Sequence, residues 1–317
     1  MDKKIVAIIL IIIAVVIGGA YYTSHSDDNI MTIGYLPSDH DAALFVANSQ
    51  GEFAKHGVHI KLVQFNNGGD LMTAMASGDV EVGYVGITPV LSSIEKGVPV
   101  KVISAAQSEG SAIVVSPNSG ISSVSDLQGK KIATPGEASI QHMLLSYYLN
   151  QSGMKIGDVK VSAMKVPSMN DALKTHQIDG MITYEPYVST AVADGNTLLA
   201  SSSDILPNHP CCVVVASQDY LNRHPNETKA LLNIHANETK YINDKIADGN
   251  TQEIVDHLPD DIITNKNVEK DSIESFPLIS GLNESFKKDV MDFMNLEVQL
   301  GVLKKPLTQE QIFWDGK

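Results

Sequence analysis

The feature that most constrains this chain is the alternation, from residue 31 onward, of short runs rich in β-branched residues with segments of helical periodicity. Such alternation is typical of an α/β fold in which helices cover a mostly parallel sheet. With 317 residues and a mean hydropathy near zero, the chain is long enough for about two such domains. The predicted strands are 31–36, 58–65, 80–85, 100–106, 112–116, 131–133, 159–166, 178–184, 197–201 and 212–216.

Helices are predicted between these strands and after them. Ser38 or Asp39 is a candidate N-cap for the first helix, and Gly57 lies just past its end. After residue 216 the pattern changes to helices with polar faces, which we expect to pack on the lobe that holds the N-terminal strands. The predicted helices are 40–55, 69–76, 89–96, 139–151, 170–175, 186–193, 226–246, 251–258, 272–280 and 282–300.

A weak internal repeat indicates that the α/β unit occurs twice. Residues 57–89 and 153–186 each contain, in the same order, a helix end, a strand, a short helix, a second strand and a proline that opens the next helix. Two such units predict two lobes, and a chance match between ordinary βαβ units is the alternative. The predicted division is a discontinuous first lobe, 29–110 and 213–317, with the C-terminal helices, and a second lobe, 111–212.

An apolar run, residues 5–20, follows Lys3 and Lys4. It is either a signal peptide or a single membrane anchor, because it is at the short end of the roughly 17 to 25 residues that a spanning helix needs. In both cases the two lysines lie on the cytoplasmic side and the rest is exported. Residues 1–28 are therefore predicted to be a signal peptide or membrane anchor with a linker. The predicted location is extracytoplasmic, either anchored to the outer face of the cell membrane or secreted.

Charge and cysteine content narrow the possible partners. The formal net charge is −14 and no Lys/Arg-rich stripe is present, so nucleic acid is a poor candidate partner. We interpret the excess of acidic residues as a feature that keeps the protein soluble. The chain has two cysteines, Cys211 and Cys212, so none follows the apolar run to carry a lipid anchor. We interpret the pair as small, semi-buried residues, because a disulfide between adjacent residues closes a strained ring. The exported part is predicted to be monomeric.

Two dipeptides, Thr88-Pro89 and Glu185-Pro186, each follow a strand and open a helix. Each therefore directs unpaired backbone N–H groups toward the carboxyl ends of the strands, where open α/β sheets bind ligands. No enzymatic or metal-binding signature is present in the sequence, so no catalytic residue, metal ligand or cofactor is predicted. The predicted ligand-binding residues are Pro37, Asp39, His40, Asp41, Asn67, Gly68, Gly86, Ile87, Thr88, Gln107, Glu137, Ala138, Ser139, Tyr184, Glu185 and Cys211.

Several of these residues also have a structural interpretation. His40 is either a solvated first-turn residue or a ligand contact. Glu137 and Glu185 either complement a helix dipole or contact the ligand. Tyr184 belongs either to the core or to a stacking wall, and Gln107 either satisfies loop backbone or faces the cleft.

Four short segments, in order and at similar spacing, resemble one family. They are Gly34-Tyr-Leu-Pro37, residues 78–86, Pro135-Gly-Glu-Ala-Ser139 and Tyr184-Glu-Pro-Tyr187. Together they are similar to the nitrate/sulfonate/taurine-type solute-binding proteins of ABC transporters and their thiamine-pyrimidine-precursor-binding relatives. The resemblance implies a two-lobed, type II periplasmic-binding-protein-like fold that closes on a small polar solute. It also implies an ABC permease and ATPase as partners, with the membrane reached through the N-terminal segment.

The predicted site loops contain no Lys or Arg and carry several carboxylates, including Asp41 and Glu185. A thiamine-pyrimidine precursor or an amine-like solute is therefore favoured over a sulfonate, taurine or nitrate, although a helix N-terminus can hold an anion without a basic side chain.

Two other classes of function stay open. The run His209-Pro-Cys-Cys212 partly resembles the cysteine-rich run of pyrimidine-synthase relatives. Those relatives are single-turnover enzymes that consume their own His and a bound pyridoxal phosphate, but the run here is shorter, and export would separate it from cytosolic pyridoxal phosphate. A ligand-sensing ectodomain would need a cytoplasmic output domain.

Overall fold

The computed structural model of the protein describes residues 30–263 and 265–316, so the predicted signal peptide or membrane anchor, residues 1–28, lies outside the described residues. Within those ranges, no helix has the length and apolar character that crossing a bilayer requires. The strands form two separate sheets, one of six strands and one of five.

The first sheet has the order β11-β4-β10-β3-β1-β2. Strand β1 is parallel to β2 and β3, whereas β10 runs antiparallel to β3 and β4, and β11 runs antiparallel to β4. The sheet is therefore mixed: β1, β2, β3 and β4 run in one direction, as expected of a mostly parallel sheet, whereas β10 and β11 run in the opposite direction. The strands are β1 (Ile30–Tyr35), β2 (His59–Gln64), β3 (Val82–Gly86), β4 (Val100–Ser108), β10 (Pro210–Ser217) and β11 (Leu278–Gly281).

The second sheet has the order β7-β6-β8-β5-β9. Strand β6 is parallel to β7 and β8, and β5 is antiparallel to β8 and β9. Its strands are β5 (Ser111–Val115), β6 (Lys131–Thr134), β7 (Lys160–Ala163), β8 (Gly180–Tyr184) and β9 (Thr197–Ser201). The chain thus leaves the first sheet after Ser108 and returns to it at Pro210. Residues 210–212 therefore belong to a strand of the first sheet, and the division into lobes 29–110 with 213–317, and 111–212, stays a prediction.

The helices cover both sheets. The predicted helix 40–55 is interrupted at Gly51, whose φ of 72° is left-handed, so it divides into a 3-10 turn (Asp39–Asp41) and two helices. The α-helices are Ala42–Ser49, Glu52–Lys55, Gly68–Ser77, Ile87–Glu95, Ile140–Gln151, Met169–Lys174, Tyr187–Ala193, Ser202–Ile205, Gln218–Arg223, Pro225–Ala247, Thr251–Val255, Lys266–Ile273, Glu284–Gln299 and Gln309–Ile312. Further 3-10 turns are Val124–Leu127, Ile156–Asp158 and Val166–Ser168.

The C-terminal extension differs from the prediction in two respects. Residues 272–280 were expected to be helical, but the helix Lys266–Ile273 ends early and β11 follows Pro277, which cannot continue a helix. The same helix packs against Tyr187–Ala193 of the second sheet's layer, whereas the helix Pro225–Ala247 packs on the first sheet's layer. The extension therefore contacts both layers.

Candidate functional site

A cavity lies between the two sheets, and the space between its lining atoms amounts to about 520 Å³ when the part open to solvent is included. Its walls come from the carboxyl ends of β1, β2, β3, β6 and β8 and from the start of β10. Among the described residues that line it there is no Lys or Arg, and Asp41 is the one carboxylate. The lining residues are Leu36, Ser38, His40, Asp41, Asn67, Gly68, Tyr84, Gly86, Pro89, Pro135, Ala138, Ser139, Ile140, Gln141, Tyr184, Cys211 and Cys212.

The cavity brings together more than half of the residues that the sequence predicts as ligand contacts: His40, Asp41, Asn67, Gly68, Gly86, Ala138, Ser139, Tyr184 and Cys211. Sequence reasoning missed others that come from the same loops and strand ends. These are Leu36, Ser38, Tyr84, Pro89, Pro135, Ile140, Gln141 and Cys212. Most of them are neighbours of a predicted residue, so a wider reading of each loop would have found them.

The remaining predicted residues do not line this cavity: Pro37, Asp39, Ile87, Thr88, Gln107, Glu137 and Glu185. The Thr88 hydroxyl instead donates a hydrogen bond to the buried carboxylate of Glu297. Ile87 is fully buried in the core, whereas Glu137 is exposed. Glu185 accepts hydrogen bonds at 2.9 Å from both the backbone N–H and the hydroxyl of Ser189, so its carboxylate binds the first turn of the helix Tyr187–Ala193 that follows it.

The loop after β1 is fixed to the second sheet. Ser38 caps the 3-10 turn by accepting a hydrogen bond at 3.2 Å from the backbone N–H of His40, and it donates one at 2.8 Å to the Glu185 carbonyl oxygen. His40 is consequently buried, with its ring against Phe276 at a centroid distance of 4.7 Å. The interpretation of His40 as a solvated residue is therefore wrong.

Three side chains form what we call the His–Cys cluster: His40, Cys211 and Cys212. Nδ1 of His40 lies 3.6 Å from Sγ of Cys212 and 4.0 Å from Sγ of Cys211, and the two sulfurs are 3.9 Å apart. All three residues are buried, and both thiols are free. Adjacent strand residues normally point to opposite faces, but the pairing of β10 with β4 shifts register between Pro210 and Cys212 and again at Val213. This irregularity is what brings both sulfurs to one imidazole.

The hydrogen-bond network assigns the His40 tautomer. The amide nitrogen of Gln107 donates to the carbonyl oxygens of Glu109 at 2.8 Å and Ser108 at 3.0 Å, so both of its hydrogens are used. Nε2 of His40 lies 3.1 Å from the Gly110 carbonyl oxygen, which requires a hydrogen on Nε2. The lone pair is therefore on Nδ1 and faces the thiols.

The two thiols of the cluster differ in pKa. Burial opposes ionisation of Cys211, but a hydrogen bond from the Cys212 thiol and, once a proton has also joined Nδ1, the hydrogen bond and charge of the His40 imidazolium outweigh it and hold the pKa of the Cys211 thiol well below its ordinary value. The bond to Cys211, together with burial, raises the pKa of Cys212 well above its ordinary value. Cys211 is therefore the thiol that ionises first.

A second polar group, which we call the junction carboxyls, lies where the two layers meet and consists of Asp39, Glu185 and Glu269. Ser272 joins two of them, since its hydroxyl is 2.5 Å from Asp39 Oδ2 and 3.1 Å from Glu185 Oε2. Burial, and then the charge of Glu185, raises the pKa of Glu269 to about 8. Burial, and then the charges of Glu269 and Glu185, raise the pKa of Asp39 well above its ordinary value. Ser272 of the C-terminal extension therefore links Asp39 of the first layer to Glu185 of the second.

Tyr184 supplies an unpaired polar atom in the wall. Tyr184 is 5% exposed, and its hydroxyl has no hydrogen-bond partner among the described residues. Burial raises the pKa of this phenol well above its ordinary value, so the group is a neutral donor. A buried donor without a partner costs free energy unless a ligand satisfies it.

Comparison with known proteins places this geometry in a family. Residues 24–258 match the family model described as the NMT1-like family. The chain belongs to the NMT1-like family. This NMT1-like protein is 30% identical over 202 residues to the taurine-binding periplasmic protein of Escherichia coli K12, covering 63% of this chain and 62% of that one. It is 25% identical over 198 residues to the putative aliphatic sulfonates-binding protein of Bacillus subtilis, covering 60% and 59%. The alignments thus span less than two thirds of either relative.

The fold of the NMT1-like protein has close counterparts among solved structures. The alkanesulfonate-binding protein of Xanthomonas axonopodis pv. citri, bound to MOPS, superposes with a TM-score of 0.78 at 20% identity, covering 90% of this chain and 98% of that one. The predicted periplasmic-binding-protein-like α/β fold is therefore confirmed for the part of the chain that the structure describes.

Proposed function

We propose that this protein is the extracytoplasmic solute-binding component of an ABC import system. It captures a small polar solute between two lobes and delivers it to a permease and an ATPase. One observation carries the proposal: the carboxyl ends of parallel strands from both sheets meet at a single, mostly buried cavity. That is the place where α/β sheets bind ligands. The family and the taurine-binding relative support the same function.

The residues that line the cavity favour one class of solute over the others. The described lining residues provide apolar surface and neutral polar groups such as Asn67, Gln141 and Tyr184, with one buried carboxylate and no cationic side chain. A thiamine-pyrimidine precursor or an amine-like solute fits this wall better than a sulfonate, taurine or nitrate, because no basic side chain is available to pair with an anion.

The test identifies what the full chain binds. We expect mass spectrometry of the detergent-solubilised full chain to detect a bound small molecule that carries an amine or a heteroaromatic nitrogen. Calorimetric titration with a 4-aminopyrimidine, taurine, methanesulfonate and nitrate then compares the classes. Tighter binding of taurine or methanesulfonate would overturn the solute class and leave the import function standing. Absence of binding by any small solute would overturn the function itself.

The alternative functions have their own tests. A pyrimidine-synthase-like enzyme would show the visible or near-ultraviolet absorbance of bound pyridoxal phosphate. A ligand-sensing ectodomain would lack permease and ATPase genes beside its own. We expect neither result.

A further inference from the structure

The His–Cys cluster has the geometry of a metal site. In a tetrahedral site with Zn–S bonds of about 2.3 Å and Zn–N bonds of about 2.05 Å, two sulfurs lie about 3.8 Å apart and a sulfur lies about 3.6 Å from a nitrogen. The cluster has 3.9 Å between its sulfurs and 3.6 Å and 4.0 Å between the sulfurs and Nδ1. A single ion therefore fits between the three atoms after movements of a few tenths of an ångström.

The surroundings support the three donor atoms in that arrangement. The hydrogen bond from His40 Nε2 to the Gly110 carbonyl directs the Nδ1 lone pair at the sulfurs, as second-shell partners do for metal-binding histidines. The Gln107 side-chain oxygen accepts a hydrogen bond from the Cys212 backbone N–H at 3.2 Å and so holds the irregular start of β10. Gly110 is required here, since a Cβ on it would lie 2.4 Å from His40 Nε2.

The donor atoms also suit one class of ion. Two thiolates and an imidazole are soft to borderline ligands, which favour zinc(II) over magnesium or calcium. Binding would release the thiol protons to solvent. All three residues line the cavity, so a fourth coordination position would face it.

We propose that His40, Cys211 and Cys212 bind a zinc(II)-class transition-metal ion in the cavity wall, with one coordination position open to the cavity. Three protein ligands and an open position are the arrangement in which zinc binds an exchangeable ligand. The ion supplies the Lewis acid that the described wall lacks. This second part rests on the proposed function: a solute with an amine or heteroaromatic nitrogen completes the coordination shell.

The first experiment tests the metal alone. The reduced, metal-stripped full chain in detergent, without a polyhistidine tag, is titrated with cobalt(II) and then with zinc(II). We expect one ion per chain and a thiolate-to-cobalt charge-transfer band that zinc abolishes. Cys212→Ser and His40→Ala should each lower the affinity by more than about a hundredfold, because loss of a ligand exceeds the roughly 10- to 100-fold effect of losing a second-shell partner. The exposed His56→Ala serves as the control and should bind as the wild type does.

A second measurement needs no variant and covers the case in which these substitutions impair folding. We expect zinc to protect both thiols of the wild-type protein from iodoacetamide. Absence of the charge-transfer band, or equal alkylation with and without zinc, would overturn the metal site.

The open position is tested separately, with imidazole as the added ligand on the cobalt form. Imidazole should shift the visible cobalt bands, and an unchanged spectrum would overturn the open position. None of these outcomes depends on whether the chain serves an importer, so failure of this inference is distinguishable from failure of the proposed function.

Discussion

At the scale of single residues, the buried carboxyl groups couple folding to pH. Glu269 has a pKa of about 8 in the folded chain against an ordinary value of 4.5. The folded state therefore holds a proton that the unfolded state releases between these values, so this group's contribution to stability is present below about pH 4.5 and is lost as pH rises toward 8. Glu297, also raised to about 8 by burial, acts in the same direction.

The corresponding prediction concerns Glu269→Gln, which keeps the shape of the protonated carboxyl without its ionisation. The wild type should melt at a lower temperature at pH 8 than at pH 5, and the variant should lose about 2 to 4 °C less over that interval. Thermal melts followed by circular dichroism at both pH values make the measurement, with the exposed Glu284→Gln as the control. An identical pH dependence in Glu269→Gln and wild type would contradict the role of this carboxyl.

A second residue-scale prediction concerns Thr88, which the sequence placed in the solute site and the structure places on Glu297. Thr88→Val should lower the free energy of unfolding by about 1–3 kcal/mol, because it leaves a buried carboxyl without its donor. Solute affinity should stay unchanged. Chemical denaturation and calorimetry measure the two effects, and Thr73→Val, whose hydroxyl bonds an exposed backbone carbonyl, is the control. A weakened affinity with full stability would return Thr88 to the solute site.

Tyr184→Phe should lower solute affinity and leave the stability of the protein unchanged. The hydroxyl has no partner among the described residues, so its removal breaks no hydrogen bond within the protein. A solute that hydrogen-bonds to this hydroxyl should bind the variant more weakly by about 0.5–1.5 kcal/mol, or roughly 2- to 12-fold in affinity. Calorimetry with the co-purified solute and a thermal melt test this, with the partly buried Tyr147→Phe as the control. Unchanged affinity would show that the solute does not reach this hydroxyl.

At the scale of elements, the sequence predicts strands and helices well but not their breaks. All of the predicted strands are present, because a β-branched run with turn residues on both sides identifies a strand from its own sequence alone. The strand β11 was missed, because it is only four residues long and only its pairing with β4 defines it. The register shift in β10 was missed for the same reason, and with it the joint position of Cys211 and Cys212. Long-range pairing is not readable from a local period.

In the candidate site, too, some residues could be predicted from the sequence and others depend on long-range contacts. Residues at the carboxyl ends of parallel strands, such as Asn67 and Tyr184, were predictable because topology places them there. The direction of the Glu185 side chain, away from the cavity and into the junction between the layers, was not predictable, because it depends on Ser189 and on Ser272 from the C-terminal extension. Contacts between elements distant in sequence therefore decide which members of a loop face the cavity.

The turn between β4 and β5 provides an element-scale prediction. Gly110 has a φ of 68° and an added Cβ would meet His40, whereas Gly57 has a φ of 71° with nothing within 4 Å. Alanine at either position carries the left-handed strain, of about 1 kcal/mol, but Gly110→Ala also displaces His40. Gly110→Ala should therefore unfold at lower denaturant concentration than Gly57→Ala and should bind zinc more weakly. Equal stability and zinc affinity in the two variants would show that the turn does not position the imidazole.

At the scale of the whole molecule, the distribution of apolar surface predicts what happens when the N-terminal run is removed. Among the described residues, the large hydrophobic side chains that are exposed are Ile30, Val192 and Leu198, at 40%, 42% and 47% of their surface. They lie in three different elements, β1, the helix Tyr187–Ala193 and β9, and a few exposed side chains of this kind are normal on the surface of a soluble domain. Residues 30–263 and 265–316 contain both sheets, the cavity and the His–Cys cluster.

We therefore expect a chain that starts at Asp28 to be soluble and monomeric and to bind solute and zinc as the full chain does. A solute present at a hundred times its dissociation constant should raise its stability by about 2.7 kcal/mol, since the ligand binds the folded state alone. Light scattering after size-exclusion chromatography gives the oligomeric state, and melts with and without solute give the linkage. The full chain in detergent is the reference for both affinities. Recovery only as aggregates after gentle refolding would show that the N-terminal residues contribute to the fold, and a stable dimer would show that part of the described surface is an interface.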